Sequence, residues 1–378
     1  MRPSWRSARR LAGAVAAFAM ALGGASAATA EGAGKAPAPD YLFDDSHFHL
    51  TNYIQHGTDI HKYLSIMGDK VGRSTLFGIP LQQTWSYANS GNYAPTYYLQ
   101  TDAPLYYYSF TDAFIAKAYQ SLSKPDQARL DPMITGFNPA DMYAVEHIRR
   151  VLELFPGVFS GIGEFSIHKE FVSSKVAGET ASLTNPALDR ILDFAGEVGL
   201  VVILHNDIDM PFAKANTEPV YLTQMKDLLR RHPKTTIIWA HTGLGRVVRP
   251  AQVQATTDTA ERSPYHWEIV EAMLNDPTLH HVYFDISWDE LAKYAVATPE
   301  SIKNAVNLAN RHPDRFLFGT DNVAPPDQAT QLAVFHLWDP ILSQLTPETS
   351  LKIRKGNYER LFDAARVSVR AWEKANVQ

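Results

Sequence analysis

The chain of 378 residues contains no cysteine. This absence excludes disulfide frameworks, cysteine nucleophiles and zinc sites built from thiolates. Any metal ion must therefore be held by histidine and carboxylate side chains, and the 14 histidines are the place to look. The sequence also lacks a Gly-rich dinucleotide fingerprint after its first predicted strand, which weakens the case for an open doubly wound sheet. A hydrophobic fraction of 45% excludes an intrinsically disordered chain.

Residues 1–30 have the pattern of a secretory signal peptide. A basic start precedes an apolar run over residues 11–22, and Ala25-Ser26-Ala27 and Ala28-Thr29-Ala30 are both small-x-small cleavage sites. The apolar run is too short for a membrane anchor, which needs roughly 20 residues. Arg9 and Arg10 leave twin-arginine export open beside the ordinary secretory route. We therefore expect an exported protein, either periplasmic or secreted.

Loss of the signal peptide removes four arginines and no acidic residue, so the net charge falls by four, from −5 to −9. An acidic surface argues against nucleic acid or an anionic membrane as a partner. No other apolar run is long enough to span a bilayer. Residues 31–39 are small and rich in Pro, Ala and Gly, which predicts a flexible leader. We expect a small-molecule substrate as the partner, and the sequence is compatible with a homo-oligomer.

After Asp40, short β-branched or aromatic runs alternate with amphipathic stretches. Several runs are continuously apolar, as in a parallel sheet that is covered on both faces. Eight alternations predict an α/β fold, a (β/α)8 TIM barrel over residues 40–378 with an insertion after the second strand. The predicted strands are 41–45, 74–79, 132–137, 158–163, 200–204, 236–240, 281–286 and 315–319. The predicted helices include 185–198, 221–231, 265–274 and 299–310.

The insertion over residues 84–110 is rich in tyrosine. It follows the second predicted strand on the side where barrel active sites are built. The pattern fits a lid or a wall of a substrate pocket, and it fits a packed excursion without a ligand role equally well. The aromatic residues concerned are Trp85, Tyr87, Tyr93, Tyr97, Tyr98, Tyr106, Tyr107 and Tyr108.

The sharpest chemical feature is a pair of histidines, His47 and His49, at the end of the first predicted strand. Side chains two apart on a strand point the same way and lie about 6.5 Å apart along it. Both imidazoles can therefore enter one barrel mouth. Such a pair alone is weak evidence, but other predicted strands also end in a potential ligand. These residues are Glu164, His205, His241 and Asp321.

Four histidines and two carboxylates that converge on one mouth are electrostatically costly without a cation. We therefore predict a divalent metal site built from these six residues. Zinc is the default ion for histidine and carboxylate ligands with an open position. Manganese and iron are the alternatives.

The ordered set of strand-end residues resembles the amidohydrolase superfamily of metal-dependent barrel enzymes. Residues 355–362 look like the last helix of the amidohydrolase-related branch, which includes aminocarboxymuconate-semialdehyde decarboxylase and pyrone-dicarboxylate lactonase. In single-metal members the resemblance implies an acid/base role for His241. Glu164 falls where binuclear members carry a bridging carboxylate, so the resemblance implies one or two ions. The single-metal ligands it implies are His47, His49, His205 and Asp321; with two ions, His241 becomes a ligand as well.

The leading hypothesis is a metal-dependent hydrolase of a small-molecule amide, ester or lactone that uses metal-activated water. Asp321 would take the proton of the water and pass it to the leaving group, and His241, if not a ligand, would polarise the scissile carbonyl. One alternative is a non-oxidative decarboxylase of an unsaturated or aromatic acid, which uses the same ligands. The other is a non-catalytic exported metal-binding protein.

Three further residues are candidates for binding substrate. Arg246 follows the sixth predicted strand, where it can hold a substrate carboxylate. His168 and Lys169 follow Glu164 closely and are expected to line the same mouth. Asp285 and Ser287, at the end of the seventh predicted strand, are expected at the rim.

Overall fold

The computed structural model describes residues 40–52, 57–79, 110–169, 182–208, 218–245 and 266–377. The predicted signal peptide, the leader, Arg246 and the tyrosines of the insertion lie outside the described residues. Between these ranges the backbone of five short strands is also described. These are Thr84–Trp85, Leu99–Gln100, Val172–Ser173, Lys175–Val176 and Glu179–Thr180.

Eight parallel strands form one sheet in which each strand pairs with the next strand along the chain. The segments that follow the first and last strands join the two edges of the sheet. There the Ser46 amide donates a hydrogen bond of 3.0 Å to the Phe318 carbonyl oxygen, and Phe48–His49 pairs in parallel with Asn322–Val323. The predicted (β/α)8 barrel is confirmed. The strands are β1 Phe43–Asp45, β2 Val71–Leu76, β3 Leu130–Ile134, β4 Gly161–Ser166, β5 Val201–His205, β6 Ile237–Trp239, β7 Val282–Asp285 and β8 Phe316–Leu317.

The boundaries differ most at β2 and β4. Strand β2 begins at Val71 instead of residue 74, and strand β4 begins at Gly161 instead of residue 158. Strand β2 starts earlier than predicted because two polar side chains in it have buried partners. Arg73 Nη2 lies 2.9 Å from Asp131 Oδ2, and Ser74 Oγ lies 2.6 Å from the Tyr63 hydroxyl. Strand β4 extends past Glu164, because an ionisable residue can stand in a barrel strand when its side chain has charged partners inside.

Helices follow the strands and cover the outside of the sheet, and all four helices predicted by range are present. Asn185 caps one of them by accepting the Ala187 amide, and Gly199 ends it with a left-handed φ of 82°. In the part of the chain that is described, no helix is long and apolar enough to cross a bilayer. The helices are α1 Ile60–Met67, α2 Phe110–Gln120, α3 Lys124–Ala128, α4 Ala144–Leu154, α5 Pro186–Val198, α6 Val220–Arg231, α7 His266–Leu274, α8 Asp289–Ala295, α9 Pro299–Arg311, α10 Gln328–Leu337, α11 Asp339–Leu342, α12 Pro347–Leu351 and α13 Asn357–Asn376.

The C-terminal helix α13 closes the amino end of the barrel. Its apolar face packs against a buried cluster of inward-pointing strand residues, which excludes water from that end. The carboxyl end is therefore the end left for polar chemistry. The cluster comprises Phe77, Met133, Val201, Ile203, Ile238, Ala240 and Leu317 from the barrel, and Tyr358, Leu361, Phe362 and Ala365 from α13.

One buried carboxylate, Asp131 in β3, ties α13 to the barrel. Arg73 and Arg366 donate to it over 2.9 and 2.6 Å, and the Tyr358 hydroxyl donates over 2.8 Å. Asp131 is 1% exposed, so water cannot replace these donors. The same Arg73 also reaches Asp363 over 2.6 Å, but that carboxylate is 63% exposed.

Asp131→Ala should lower the free energy of unfolding by about 3 kcal/mol, because it leaves two guanidinium groups without their buried partner. Urea unfolding followed by circular dichroism measures this change. The matched control is Asp363→Ala, which removes a solvent-exposed partner of the same Arg73 and should cost under about 1 kcal/mol. Equal losses in the two variants would contradict a special role for the buried carboxylate.

Candidate metal centre

All six predicted ligands meet at the carboxyl end of the barrel. Because β1, β4, β5, β6 and β8 are parallel, their carboxyl ends open onto the same mouth. The side chains of the four histidines and Glu164 are at most 2% exposed, and that of Asp321 is 11% exposed. The structure thus brings the six predicted residues together at one mouth.

The first group of potential ligands contains both histidines that follow β1. His47 Nε2 and His49 Nε2 each lie 3.3 Å from Asp321 Oδ1. His49 Nε2 is also 3.3 Å from Glu164 Oε2, and His47 Nε2 is 3.7 Å from it. Ligand atoms of these four residues all lie within 4.8 Å of one another, close enough to surround one ion.

The second group shares Glu164. Its other oxygen, Oε1, lies 2.7 Å from His205 Nδ1 and 3.9 Å from His241 Nε2. Glu164 therefore offers one carboxylate oxygen to each group. Glu164 thus stands between two groups of potential ligands, with His47, His49 and Asp321 on one side and His205 and His241 on the other.

Hydrogen bonds behind the histidines fix which ring nitrogen faces the centre. His47 Nδ1 donates to Asp285 Oδ2 over 2.9 Å, and His49 Nδ1 donates to the Gly78 carbonyl oxygen over 3.0 Å. With Nδ1 held in this way, each ring directs its Nε2 atom to the mouth. Both histidines are thus oriented as metal ligands.

His241 is held in the same way through a relay. Ser287 Oγ donates a short hydrogen bond to Asp285 Oδ1, so its own lone pair accepts from His241 Nδ1 over 2.8 Å. Asp285 Oδ1 also accepts the backbone amide of His241 over 2.7 Å. One carboxylate of β7 therefore orients both His47 and His241, whose Nε2 atoms face the centre.

These atoms fit a cation. His49 Nε2 faces two carboxylate oxygens at 3.3 Å. Burial lowers the pKa of His49, but these carboxylates outweigh burial and raise it, so the site favours a positive charge between the ring and the two oxygens, which a proton or a metal ion can supply. His47 Nε2, His241 Nε2 and Glu164 Oε2 are buried without a hydrogen-bond partner among the described residues. Buried polar atoms of this kind call for a ligand, and histidine nitrogens with carboxylate oxygens form a divalent metal site.

The charged groups of the cluster shift one another's pKa values. Burial raises the pKa of Glu164, but the Lys169 ammonium and the neighbouring histidines outweigh burial, so the pKa lies well below its usual range. Burial likewise raises the pKa of Asp321, and His241 and His47 more than reverse that effect. Both carboxylates are therefore ionised. Burial lowers the pKa of His241 to about 4, so its ring is neutral.

His205 differs from the other three histidines. Its Nε2 donates to Asp207 Oδ1 over 2.9 Å, and its Nδ1 donates to the ionised Glu164 Oε1 over 2.7 Å. A carboxylate behind a histidine in this way fixes the ring orientation and raises its basicity. His205 would therefore bind an ion through Nδ1, whereas His47, His49 and His241 would use Nε2.

The backbone is strained where two of these side chains leave their strands. His241 has a φ of 51° and Asp321 a φ of 55°, in the left-handed region that costs a non-glycine residue free energy. Close packing adds a second constraint at Gly319, where a Cβ atom would lie 2.7 Å from the His47 Cβ atom. These strained conformations cost the folded state free energy, and they direct the potential ligands inward.

The structure describes two of the three candidate substrate-binding residues, and they have different surroundings. Lys169 Nζ lies 3.9 Å from Glu164 Oε1, at the edge of the metal centre. The His168 ring stacks on Tyr221, with 3.5 Å between ring centroids and an interplanar angle of 5°. Burial lowers the pKa of His168 to about 4, so that ring is neutral as well. Arg246 is outside the described residues.

Four groups that orient the ligands were not among the predicted site residues. Asp207 and the Gly78 carbonyl were missed entirely, and Asp285 and Ser287 were expected only at the rim. The His-x-Asp spacing of His205 and Asp207 is a signal that could have identified the first. Asp285 obeys the same strand-end rule as the ligands, because it is the last residue of β7. The carbonyl of Gly78 carries no signal in the sequence.

A family model described as Amidohydrolase (Amidohydro_2) matches residues 45–364. No curated protein sequence matches the chain. Among solved structures, a 2,6-dihydroxybenzoate decarboxylase complexed with 2,6-dihydroxybenzoate is 15% identical with a TM-score of 0.51, over 85% of this chain and 98% of that chain. A probable 2-pyrone-4,6-dicarboxylic acid hydrolase from Acinetobacter baumannii with bound citric acid is 14% identical, also with a TM-score of 0.51, over 85% and 99%.

A dihydroxybenzoic acid decarboxylase from Polaromonas sp. JS666, with bound manganese and the inhibitor 2-nitroresorcinol, is 13% identical with a TM-score of 0.50, over 85% of this chain and 97% of that chain. At such identities the likeness shows the shared barrel fold. It does not carry the substrate of any of these proteins to this chain.

Asp285→Asn should weaken metal binding about 10- to 100-fold while the barrel stays folded. Asparagine has one acceptor oxygen, so it cannot accept from His47, His241 and Ser287 together. Competition with a chromophoric chelator measures the affinity. Asp289→Asn, a change at a 42%-exposed carboxylate four residues away, should leave the affinity unchanged.

Gly319→Ala should also reduce metal affinity, because the new methyl group forces His47 away from its position. The same titration measures the effect, with circular dichroism to check folding. Gly356→Ala is the control, since a Cβ atom there meets no atom closer than 3.9 Å. Unchanged affinity in Gly319→Ala would mean that the placement of His47 does not depend on this contact.

Proposed function

The chain belongs to the amidohydrolase family, and we propose that this enzyme hydrolyses an amide, ester or lactone bond of a small molecule. The observation that carries the proposal is the arrangement of Asp321. Its Oδ1 faces His47 and His49, while Oδ2 is turned towards His241 at 3.9 Å. One oxygen can thus serve as a ligand while the other remains available for a proton. We propose a divalent cation in this centre, with zinc as the default identity.

A bound cation of this kind lowers the pKa of a water molecule and stabilises negative charge on a carbonyl oxygen. The protein supplies the remaining groups. Asp321 is ionised, so its Oδ2 can accept a proton from the water oxygen as that oxygen attacks the carbonyl carbon. The same carboxyl group then gives the proton to the leaving oxygen or nitrogen as the bond to the carbonyl carbon breaks.

His241 supports this reaction by orientation and neutrality. Its Nδ1 is held by Ser287, and its backbone amide is held by Asp285, so the ring has one position. With a pKa of about 4 the ring carries no charge near neutral pH. It therefore does not neutralise Asp321 by donating a proton in the resting site, which keeps that carboxylate available as a base.

Glu164 favours a site for two ions. Each of its oxygens belongs to a different ligand group, and five further ligands are divided between the groups. We propose that the second ion, held by Glu164, His205 and His241, binds more weakly. This follows from the unequal groups: the first has four ligands and the second has three.

A non-oxidative decarboxylase is the second candidate, and Lys169 is the observation that favours it. Its ammonium is 13% exposed and lies beside the centre, where it can pair with a substrate carboxylate. The two reactions leave different products. Hydrolysis places an oxygen atom from solvent in the product, whereas decarboxylation releases carbon dioxide.

Incubation of the metal-loaded protein with a panel of aryl esters and lactones and a matched panel of hydroxybenzoic acids separates these candidates. Incorporation of ¹⁸O from labelled water into a product carboxylate supports hydrolysis. Release of carbon dioxide from an acid without ¹⁸O incorporation assigns the decarboxylase activity instead. Absence of turnover with metal bound at full occupancy would favour the third hypothesis, a metal-binding protein without catalysis.

We also propose that the enzyme is exported to the periplasm or secreted, on the strength of the signal-peptide pattern in residues 1–30. The N-terminal sequence of the protein recovered from a cell fraction tests this proposal. Export predicts a new N-terminus close to residue 28 or 31.

Asp321→Asn should lower turnover of a confirmed substrate at least 100-fold, because the amide cannot accept the proton. Metal content must be measured in the same sample, since Asp321 also belongs to the first ligand group. The proposed role requires the loss of turnover to persist when metal is restored to saturation. Asp69→Asn, at a 73%-exposed carboxylate, is the control and should keep full activity.

Glu164→Gln should reduce the number of bound ions from two to one when the protein is titrated with zinc. The neutral amide offers one oxygen and cannot bridge two cations. Elemental analysis after gel filtration gives the stoichiometry, and Glu348→Gln, at a 74%-exposed carboxylate, is the control. Wild-type protein that saturates with one ion would refute the two-ion arrangement.

A further inference from the structure

A second cavity lies behind the metal centre, between the outer face of the barrel and the helices that cover it. It has a volume of about 100 Å³, is partly open, and takes its lining from β8 and from α7, α8, α9 and α11 with their connections. None of the six potential metal ligands lines it. An apolar cavity of about 150 Å³ can bind benzene, so this cavity is of the right order for one small ring.

The lining is almost entirely hydrocarbon and aromatic. Val270 from α7, Leu291 from α8, Leu308 from α9 and Phe316 from β8 are all at most 6% exposed and face the cavity. Among the described residues that line it there is no lysine, arginine, aspartate or glutamate. A charged molecule would lose its hydration there without gaining a partner, so the occupant must be uncharged and mainly apolar.

One polar group in the lining calls for a partner. Trp338, at the junction of α10 and α11, lines the cavity and is 3% exposed. Its indole Nε1 is buried and has no hydrogen-bond partner among the described residues. An indole N–H only donates, so the group that would satisfy it is an acceptor such as a carbonyl or ether oxygen. Buried donors are rarely left unpaired in folded proteins.

From these observations we propose that this cavity is a binding site for a small, uncharged, mainly hydrocarbon molecule that carries one hydrogen-bond acceptor. Its hydrocarbon part lies against the apolar lining, and its acceptor takes the Trp338 indole proton. The site is separate from the proposed catalytic function and does not depend on it.

The cavity adjoins two backbone segments whose other side chains belong to the metal centre. Side chains alternate along a strand, so Ile286 points into the cavity while its neighbours Asp285 and Ser287 point to the centre. Thr242, the residue after His241, also lines the cavity. An occupant would thus contact the two segments that orient His47 and His241.

Two ring compounds of nearly equal shape test the proposal with the metal-loaded protein. Acetophenone has a carbonyl acceptor, and α-methylstyrene replaces that oxygen with a CH2 group. Indole N–H signals of ¹⁵N-labelled tryptophan report binding, and Trp338→Phe identifies the signal of Trp338. Acetophenone should bind saturably, shift that signal and bind about two- to tenfold tighter than α-methylstyrene. In Trp338→Phe this preference should disappear.

Ala305→Phe fills the cavity and should abolish binding of both compounds, whereas Ala364→Phe, on an exposed position of α13, should leave binding unchanged. Ala309→Leu is a smaller filling change for use if Ala305→Phe does not fold. The proposal is overturned by absence of saturable binding, by equal affinities in the wild type, or by binding that survives both filling variants. Sedimentation velocity during the titration provides one more check, since dissociation of a dimer on binding would assign the cavity to a second copy of the chain.

Discussion

Two buried, ionised carboxylates, Glu164 and Asp321, face the imidazole rings of four histidines. The outer nitrogen of each ring, which is the one turned away from the centre, already makes a hydrogen bond. Negative charge in that position needs positive partners, and the Lys169 ammonium, 3.9 Å from Glu164 Oε1, supplies only one of them. Much of the upper barrel serves this requirement. Asp285, Ser287 and the Gly78 carbonyl accept hydrogen bonds from the outer nitrogens of His47, His241 and His49. The inner nitrogens of these rings therefore face the same point as the two carboxylates. Left-handed backbone at two ligands is the strain accepted to complete the arrangement.

The opposite end of the barrel shows the contrasting use of charge. Asp131 there is surrounded by guanidinium and hydroxyl donors from α13 and β2, so its charge is satisfied within the protein. The two ends therefore differ in a way that separates stability from chemistry. A carboxylate with a complete set of donors holds the fold together, and one that faces other acceptors is prepared for a cation.

The barrel and the six converging residues could be predicted because both depend on local patterns. Apolar runs mark the strands, and in a parallel barrel every strand ends at the same mouth, so a polar residue at a strand end has a known destination. The errors at β2 and β4 arise where this logic weakens. Arg73 and Glu164 are polar residues within strands, and only their distant partners make such positions favourable. Asp207 and Gly78 were missed because a supporting contact is defined by which neighbour it meets.

The sequence by itself determined the order of the strands, the position of the six potential ligands at strand ends and the nitrogen and oxygen donors that they offer, since residue type and periodicity are properties of the chain. The tertiary structure decided what each ligand can do. It sets the proton on the outer nitrogen of three histidines, turns His205 to present Nδ1, and directs the two oxygens of Glu164 to different groups. It also leaves the Trp338 indole facing an apolar cavity. These features depend on distances between residues far apart in the chain, which only packing in three dimensions fixes.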